Sequence, residues 1–145
     1  MRPVLPGKDE LLMACRGFPL PADDPVLSAA AELAVLHQRR EHTAWEALAV
    51  IDTHRSRLMD TIDTWVQAVI PQPVAGARVH TQTMGQVIDR LAQLTAHTYT
   101  ALAAASQEVF WQSMEVVDDL AIAYTDLVEE LLAGTRRLPM TTTSV

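Results

Sequence analysis

The chain has 145 residues, 49% of them hydrophobic, and a formal net charge of −7. That length suits one domain and buries enough apolar surface to fold without a metal or a disulfide. Lys8 is the only lysine and no basic stripe interleaves with aromatics, which argues against a nucleic-acid partner.

Cys15 is alone, so the reading is a chain kept in a reducing cytoplasm. No basic stretch leads into an apolar segment at the N-terminus, and no run approaches the length of a membrane span. The expectation is a cytoplasmic protein with no membrane contact. Ala, Leu and Val dominate, Gly is scarce, and helix is favoured over sheet.

Five of the eight prolines fall in residues 1–25. "KDELLMACRG" has room for two turns of helix, but "FPLPADDP" does not. Residues 1–23 are therefore expected to form an extended arm. The first main helix starts at Asp24-Pro25, an N-cap followed by proline at the first helical position. It carries Val26, Ala29, Ala30, Leu33, Ala34 and Leu36/His37 on one face and fades near Arg39-Arg40.

The second helix is predicted from about Thr43 to Ile70. Leu48, Ile51, Arg55, Leu58, Ile62, Trp65 and Val69 repeat at the spacing of a bundle seam, with Arg55 the one charged member. Pro71, Pro73 and Gly76 stop it. A third helix begins near Thr81–Thr83, with Met84, Val87, Ile88, Leu91, Leu94, Thr98 and Ala101/Leu102 inward. A fourth carries Phe110, Met114, Val117, Ala121, Tyr124, Leu127/Val128 and Leu131 and ends at Gly134. Between these two no Gly or Pro marks a turn. Ser106 can cap a new helix, and one shaft of about 50 residues packed on another chain is the alternative.

The expected fold is thus all-α: an antiparallel four-helix bundle over residues 24–134, the N-terminal arm over 1–23, and a flexible tail over 135–145.

Folding the second and third helices back on each other about residues 76–77 places Asp63 opposite Arg90. The same arithmetic around residue 105 brings Tyr124 and Asp126 to that level, while the turn at 76–77 sets Arg55, about two turns away along the second helix, at the level of His97. Asp63, Asp89, Arg90, Tyr124 and Asp126 then cluster at one level. Such pairs commonly fix helix register, and an unpaired buried charge costs several kcal/mol. The functional alternative is a pocket for a polar or anionic small molecule, with Arg55, Asp63 and Arg90 as ligand-binding residues. Asp89, His97 and Tyr124 are the catalytic candidates, moving a proton while an arginine holds a carboxylate or enolate oxygen.

His42 and Glu46 have the i, i+4 spacing of metal ligands, but no ExxH pair or second cysteine accompanies them, so no metal is expected. No cofactor is expected either, because no glycine-rich phosphate loop and no GxSxG elbow occurs. Thr81 and Thr83 read as helix caps. Trp45, Trp65 and Trp111 read as core or interface anchors.

Four segments in order, "LHQRREHTAWE", "HRSRLMDTID", "HTQTMGQVIDRL" and "LLAGTRRLP", resemble the actinobacterial branch of the family catalogued as domain of unknown function 4254. The matching positions are Arg55, Asp60, Asp63, Thr83, Gly85, Asp89 and Arg90; Met84 and Arg57 depart from the usual pattern. The resemblance implies an all-α fold and no established activity. Two functions follow as expectations. The first is an accessory, interaction or small-molecule-binding module, with a homodimer left open. The second is a cofactor-independent isomerase, cyclase or lyase of specialised metabolism.

Overall fold

The computed structural model describes residues 4–20, 23–104 and 106–140. Among these are five α-helices: α1 (Lys8–Cys15), α2 (Pro25–Glu41), α3 (Leu48–Val69), α4 (Met84–Ala104) and α5 (Gln107–Ala133). A 3-10 turn, Trp45–Ala47, leads into α3. Two short strands, β1 (Arg78–Val79) and β2 (Arg136–Arg137), pair in parallel. The all-α expectation holds.

Local chemistry sets most of the ends. The Asp24 carboxylate accepts hydrogen bonds from the Val26 and Leu27 amides, both at 3.0 Å, and Pro25 follows it. At α4, the Thr83 hydroxyl accepts from Gln86 N while Gln86 Oε1 accepts from Thr83 N. This reciprocal pair is a capping box. Ser106 caps α5 by accepting from Val109 N. Helices α4 and α5 are therefore separate and pack on one another, which removes the single long shaft. Gly134 closes α5 at φ 78°, a conformation that a Cβ disfavours, and the Thr135 amide donates back to Glu130 O.

The arrangement departs from a four-helix ring. Helix α4 lies at the centre and packs on α1, α2, α3 and α5. The backbones of α2 and α5 do not approach within packing distance among the described residues; α1 packs on both. The segment expected as an extended arm thus supplies a fifth helix to the core. Leu11 is fully buried, and Leu5, Ala14 and Cys15 join Leu27, Leu33, Ile62, Ile88, Leu91 and Leu131 in one cluster. Each buried Leu or Ile side chain among them contributes roughly 1.5–3 kcal/mol. Gly17, at φ 84°, stops α1, with Phe18 N donating back to Met13 O, and Leu11 and Leu12 on its inward face have somewhere apolar to go.

The expected tail is docked over residues 135–140. His80 N donates to Arg137 O and Val74 N to Gly134 O, both at 2.8 Å, and Leu138 packs against the core. Residues 141–145 lie outside the described residues. These bonds tie the link between α3 and α4 to the end of the chain. The link runs back along α3 before α4 starts, so the start of α4 lies beside the middle of α3. Gly85 sits against Met59, where an added Cβ would come within 2.5 Å of the Met59 carbonyl oxygen. Only a glycine permits that approach.

Candidate functional site

The charged residues of α2, α3 and α4 meet in one network. Asp89 stands inside an apolar stripe of α4 between the fully buried Ile88 and Leu91. Its Oδ1 accepts from His37 Nε2 at 2.8 Å and from Arg55 Nε at 3.2 Å, and its Oδ2 accepts from Arg55 Nη2 at 2.6 Å. A carboxylate only accepts, so His37 Nε2 carries the hydrogen. The Arg55 fork is bidentate, the strongest geometry for this pair. Arg55 Nη1 donates onward to Asp52 at 2.8 Å, and Arg40 grips the same carboxylate through Nε and Nη2. The chain Arg40–Asp52–Arg55–Asp89–His37 thus runs from solvent to core.

The electrostatics follow from these contacts. Burial alone would raise the Asp89 carboxyl, but the bonds from His37 and Arg55 outweigh it and hold it below the ordinary carboxylate range. Asp52 is held down at about 2, chiefly by the Arg40 hydrogen bond. No buried side-chain nitrogen or oxygen among the described residues lacks a partner. The network is closed on itself.

The other predicted site residues lie elsewhere. Asp63 does not meet Arg90. Its carboxylate accepts from Gly85 N at 2.7 Å, because α4 starts lower along α3 than a symmetric turn would place it. Burial raises the Asp63 carboxyl, with the Gly85 N–H and the nearby Thr83 hydroxyl pulling the other way. Arg90 is exposed and bonds Gln93 on its own helix at 2.9 Å. Tyr124 is buried, but its hydroxyl donates to Pro6 O at 2.7 Å and anchors the N-terminal segment. Asp126 is exposed. His97 is half exposed two turns beyond Asp89 and pairs with Glu41 at 3.0 Å.

His37, placed only on the inner face of the first helix by the sequence, is the histidine that reaches the network. One signal pointed to it: a histidine inside an apolar stripe of α2 needs a polar partner, and Asp89 is the carboxylate inside the stripe of α4. His42 ends α2 and Glu46 lies in the 3-10 turn, so their spacing is not that of one helix face. Among the described residues no three His, Cys, Asp or Glu side chains converge as a metal site. No helix there is long and apolar enough to cross a membrane.

Two concavities adjoin these residues. A polar cleft of about 410 Å³ is lined by Asp60, Asp63, Thr81, Thr83 and Gln86 and bordered by Pro139 and Met140. On the far side of the Arg55 network, an open groove of about 970 Å³ runs between the end of α2, the start of α3 and the end of α4. Its walls carry Ala47, Val50 and Ile51 on one side and Ala96, Tyr99 and Ala103 on the other. Val50 is 77% exposed and Trp45, just before it, 79%.

The segment that builds both concavities and most of the network is also the segment that a family model matches. The family described as "Protein of unknown function (DUF4254)" covers residues 38–140. The chain belongs to that family. The DUF4254 span starts one residue after His37 and takes in the end of α2, all of α3, α4 and α5, and the docked residues 135–140. Helix α1 and most of α2 lie ahead of it. No curated protein and no solved structure matches the chain.

Proposed function

We propose that this DUF4254 protein is a helical interaction module whose working surface is the groove between α3 and α4. The Arg55–Asp89–His37 network is then the lock that holds the groove's walls in place. One observation carries the reading. Ala47, Val50 and Ile51 repeat at i, i+3, i+4, and Ala96, Tyr99 and Ala103 at i, i+3, i+7. That is the spacing of core-facing stripes, yet in the single chain Ala47, Val50, Tyr99 and Ala103 are exposed beside the buried Ala96. Trp45, Trp65 and Trp111, at 79%, 38% and 60% exposure, read as interface anchors rather than core.

The enzyme reading has less support. Its acid–base candidates lie apart: Asp89 is fully engaged, His97 is paired at the surface, and Tyr124 holds the chain's own backbone.

Position-specific photocrosslinking tests the proposal. A photoreactive residue at Val50 should give discrete crosslinked polypeptide products in the cells that make the protein. The same residue at Ile122, exposed on α5, should not. Absence of product at Val50, or equal product at both sites, would overturn it.

A second reading rests on the cleft beside Asp63. Two carboxylates, two threonine hydroxyls and an amide suit a neutral or cationic polar molecule, and they disfavour the anionic ligand considered from the sequence. Thermal shifts with small amines and polyols, lost in Asp60→Asn, would support it. Stabilisation by anions alone would contradict it.

A further inference from the structure

We infer that a pocket between α4, α5 and the end of α1 binds a small monocarboxylate with an apolar body, its carboxylate paired with Arg16. The pocket shares only Tyr99 with the groove and no residue with the Asp63 cleft, so it stands independently of both readings above.

The pocket holds about 220 Å³. Its floor is buried: Val117, Thr95 and Thr98 are 1%, 2% and 7% exposed. Phe110 and Met114 on α5 are half-buried, and Tyr99 and Leu102 on α4 form an exposed rim. The space equals that of about seven waters at about 30 Å³ each, or a molecule of roughly ten non-hydrogen atoms. The Thr95 and Thr98 hydroxyls donate to Leu91 O and Leu94 O at 2.8 and 2.9 Å, so their hydrogens are spent within α4. What remains toward the interior is methyl, methylene, thioether and ring. An apolar body fits there, and an aromatic one gains ring and sulfur contacts from Phe110 and Met114.

Arg16 supplies the polar end. No acidic side chain lines the pocket. The Arg16 amide donates to Leu12 O and Met13 O where α1 ends, and the Gly17 turn follows, so its backbone is fixed before a ligand arrives. Its guanidinium has no hydrogen-bond or ion-pair partner among the described residues. Arg40, Arg55 and Arg136 each hold a carboxylate of the chain. Arg39, Arg57, Arg78, Arg90 and Arg137 hold none, but they are exposed to water. Among the described arginines, Arg16 alone combines partial burial with an unmatched charge. A partly desolvated guanidinium over an apolar pocket selects a carboxylate, which meets its fork with two parallel bonds. A few convergent polar groups over an apolar lining are the usual make-up of a small-molecule site.

Calorimetric titration of the full-length protein tests this with benzoate, phenylacetate and isovalerate, their primary amides, and acetate. At least one of the three carboxylates should bind saturably, once per chain, with a Kd below about 1 mM. Its amide should bind at least about tenfold more weakly, and acetate, which has the charge without the body, should not saturate. Arg16→Gln should weaken the carboxylate about tenfold and leave the amide unchanged. Leu102→Glu should weaken it too, by setting a like charge at the rim. Both variants should keep the helical circular dichroism of the wild type, because neither side chain is fully buried. Val50→Asp, in the groove, should bind as the wild type does. No saturable binding by any of the three carboxylates, equal affinity for acid and amide, an Arg16→Gln variant that binds as well as the wild type, or a loss of binding in Val50→Asp would each overturn the inference.

Discussion

The Asp89 carboxylate takes both arms of the Arg55 guanidinium, at 3.2 and 2.6 Å, while His37 occupies its remaining inward side. Three helices are joined at one carboxylate. Removing it strands a guanidinium and an imidazole together. Asp89→Ala should therefore lose about 3 kcal/mol, the low end for a broken buried pair because Arg55 keeps some contact with water. Urea unfolding measures it. A double-mutant cycle with Arg55→Ala should give a coupling of about 1–3 kcal/mol.

Acid should weaken the same network. Asp52 and Asp89 have lowered carboxyl pKa values, so each binds its proton less readily in the folded chain than in the unfolded one. Their stabilisation is complete above about pH 4, the ordinary carboxylate value, and is lost as pH falls toward 2. Asp63 acts in the opposite sense: burial raises its pKa, so its ionised form costs stability and acid relieves that cost. Unfolding followed between pH 6 and pH 2.5, about the range of these titrations, should show a loss that is steeper in Asp63→Asn and shallower in Asp89→Asn.

Gly85 is required by contact rather than by backbone angle. A methyl group there meets the Met59 carbonyl oxygen, and backbone cannot swing aside as a side chain can. Gly85→Ala should cost about 1–3 kcal/mol despite the better helix propensity of alanine. Gly7, with open space around its Cβ position, is the control that should tolerate alanine. Thermal unfolding distinguishes the two.

Tyr124→Phe removes the hydrogen bond to Pro6 O and leaves that carbonyl without it in a buried place. The loss should be about 1 kcal/mol. Because the bond ties residue 6 to α5, the amides of α1 should exchange hydrogen faster than those of α4 in this variant.

The features legible in the sequence were those set by neighbours in the chain. Asp24-Pro25, Thr83, Ser106 and Gly134 each satisfy backbone groups within a turn of themselves, so the helix ends can be read from a few letters, although the Gln86 half of the Thr83 box goes unread. Long-range register cannot be read this way. A symmetric turn about residues 76–77 sets Asp63 against Arg90. The link instead runs back along α3, held by bonds to residues 134 and 137, and no local signal records such bonds. Helix α1 was hidden for a related reason: its prolines speak locally for an extended arm, and only the core formed by α2, α4 and α5 gives Leu11 a place. Arg55 and Asp89 were identifiable as charges inside apolar stripes, but their pairing with each other and with His37 was not.

The claim that the groove is a contact surface meets its most direct test in thiol accessibility. Cys15 is buried and its thiol is pushed up to about 12, so it stays silent toward a thiol reagent near neutral pH. Cysteines placed at Val50 and at Ile122 can then be compared in intact cells. In the single chain Val50 is the more open, at 77% against 55%. A covered groove predicts the reverse order, with Val50→Cys labelled several-fold more slowly than Ile122→Cys. Labelling of Val50→Cys as fast as that of Ile122→Cys, or faster, would contradict it.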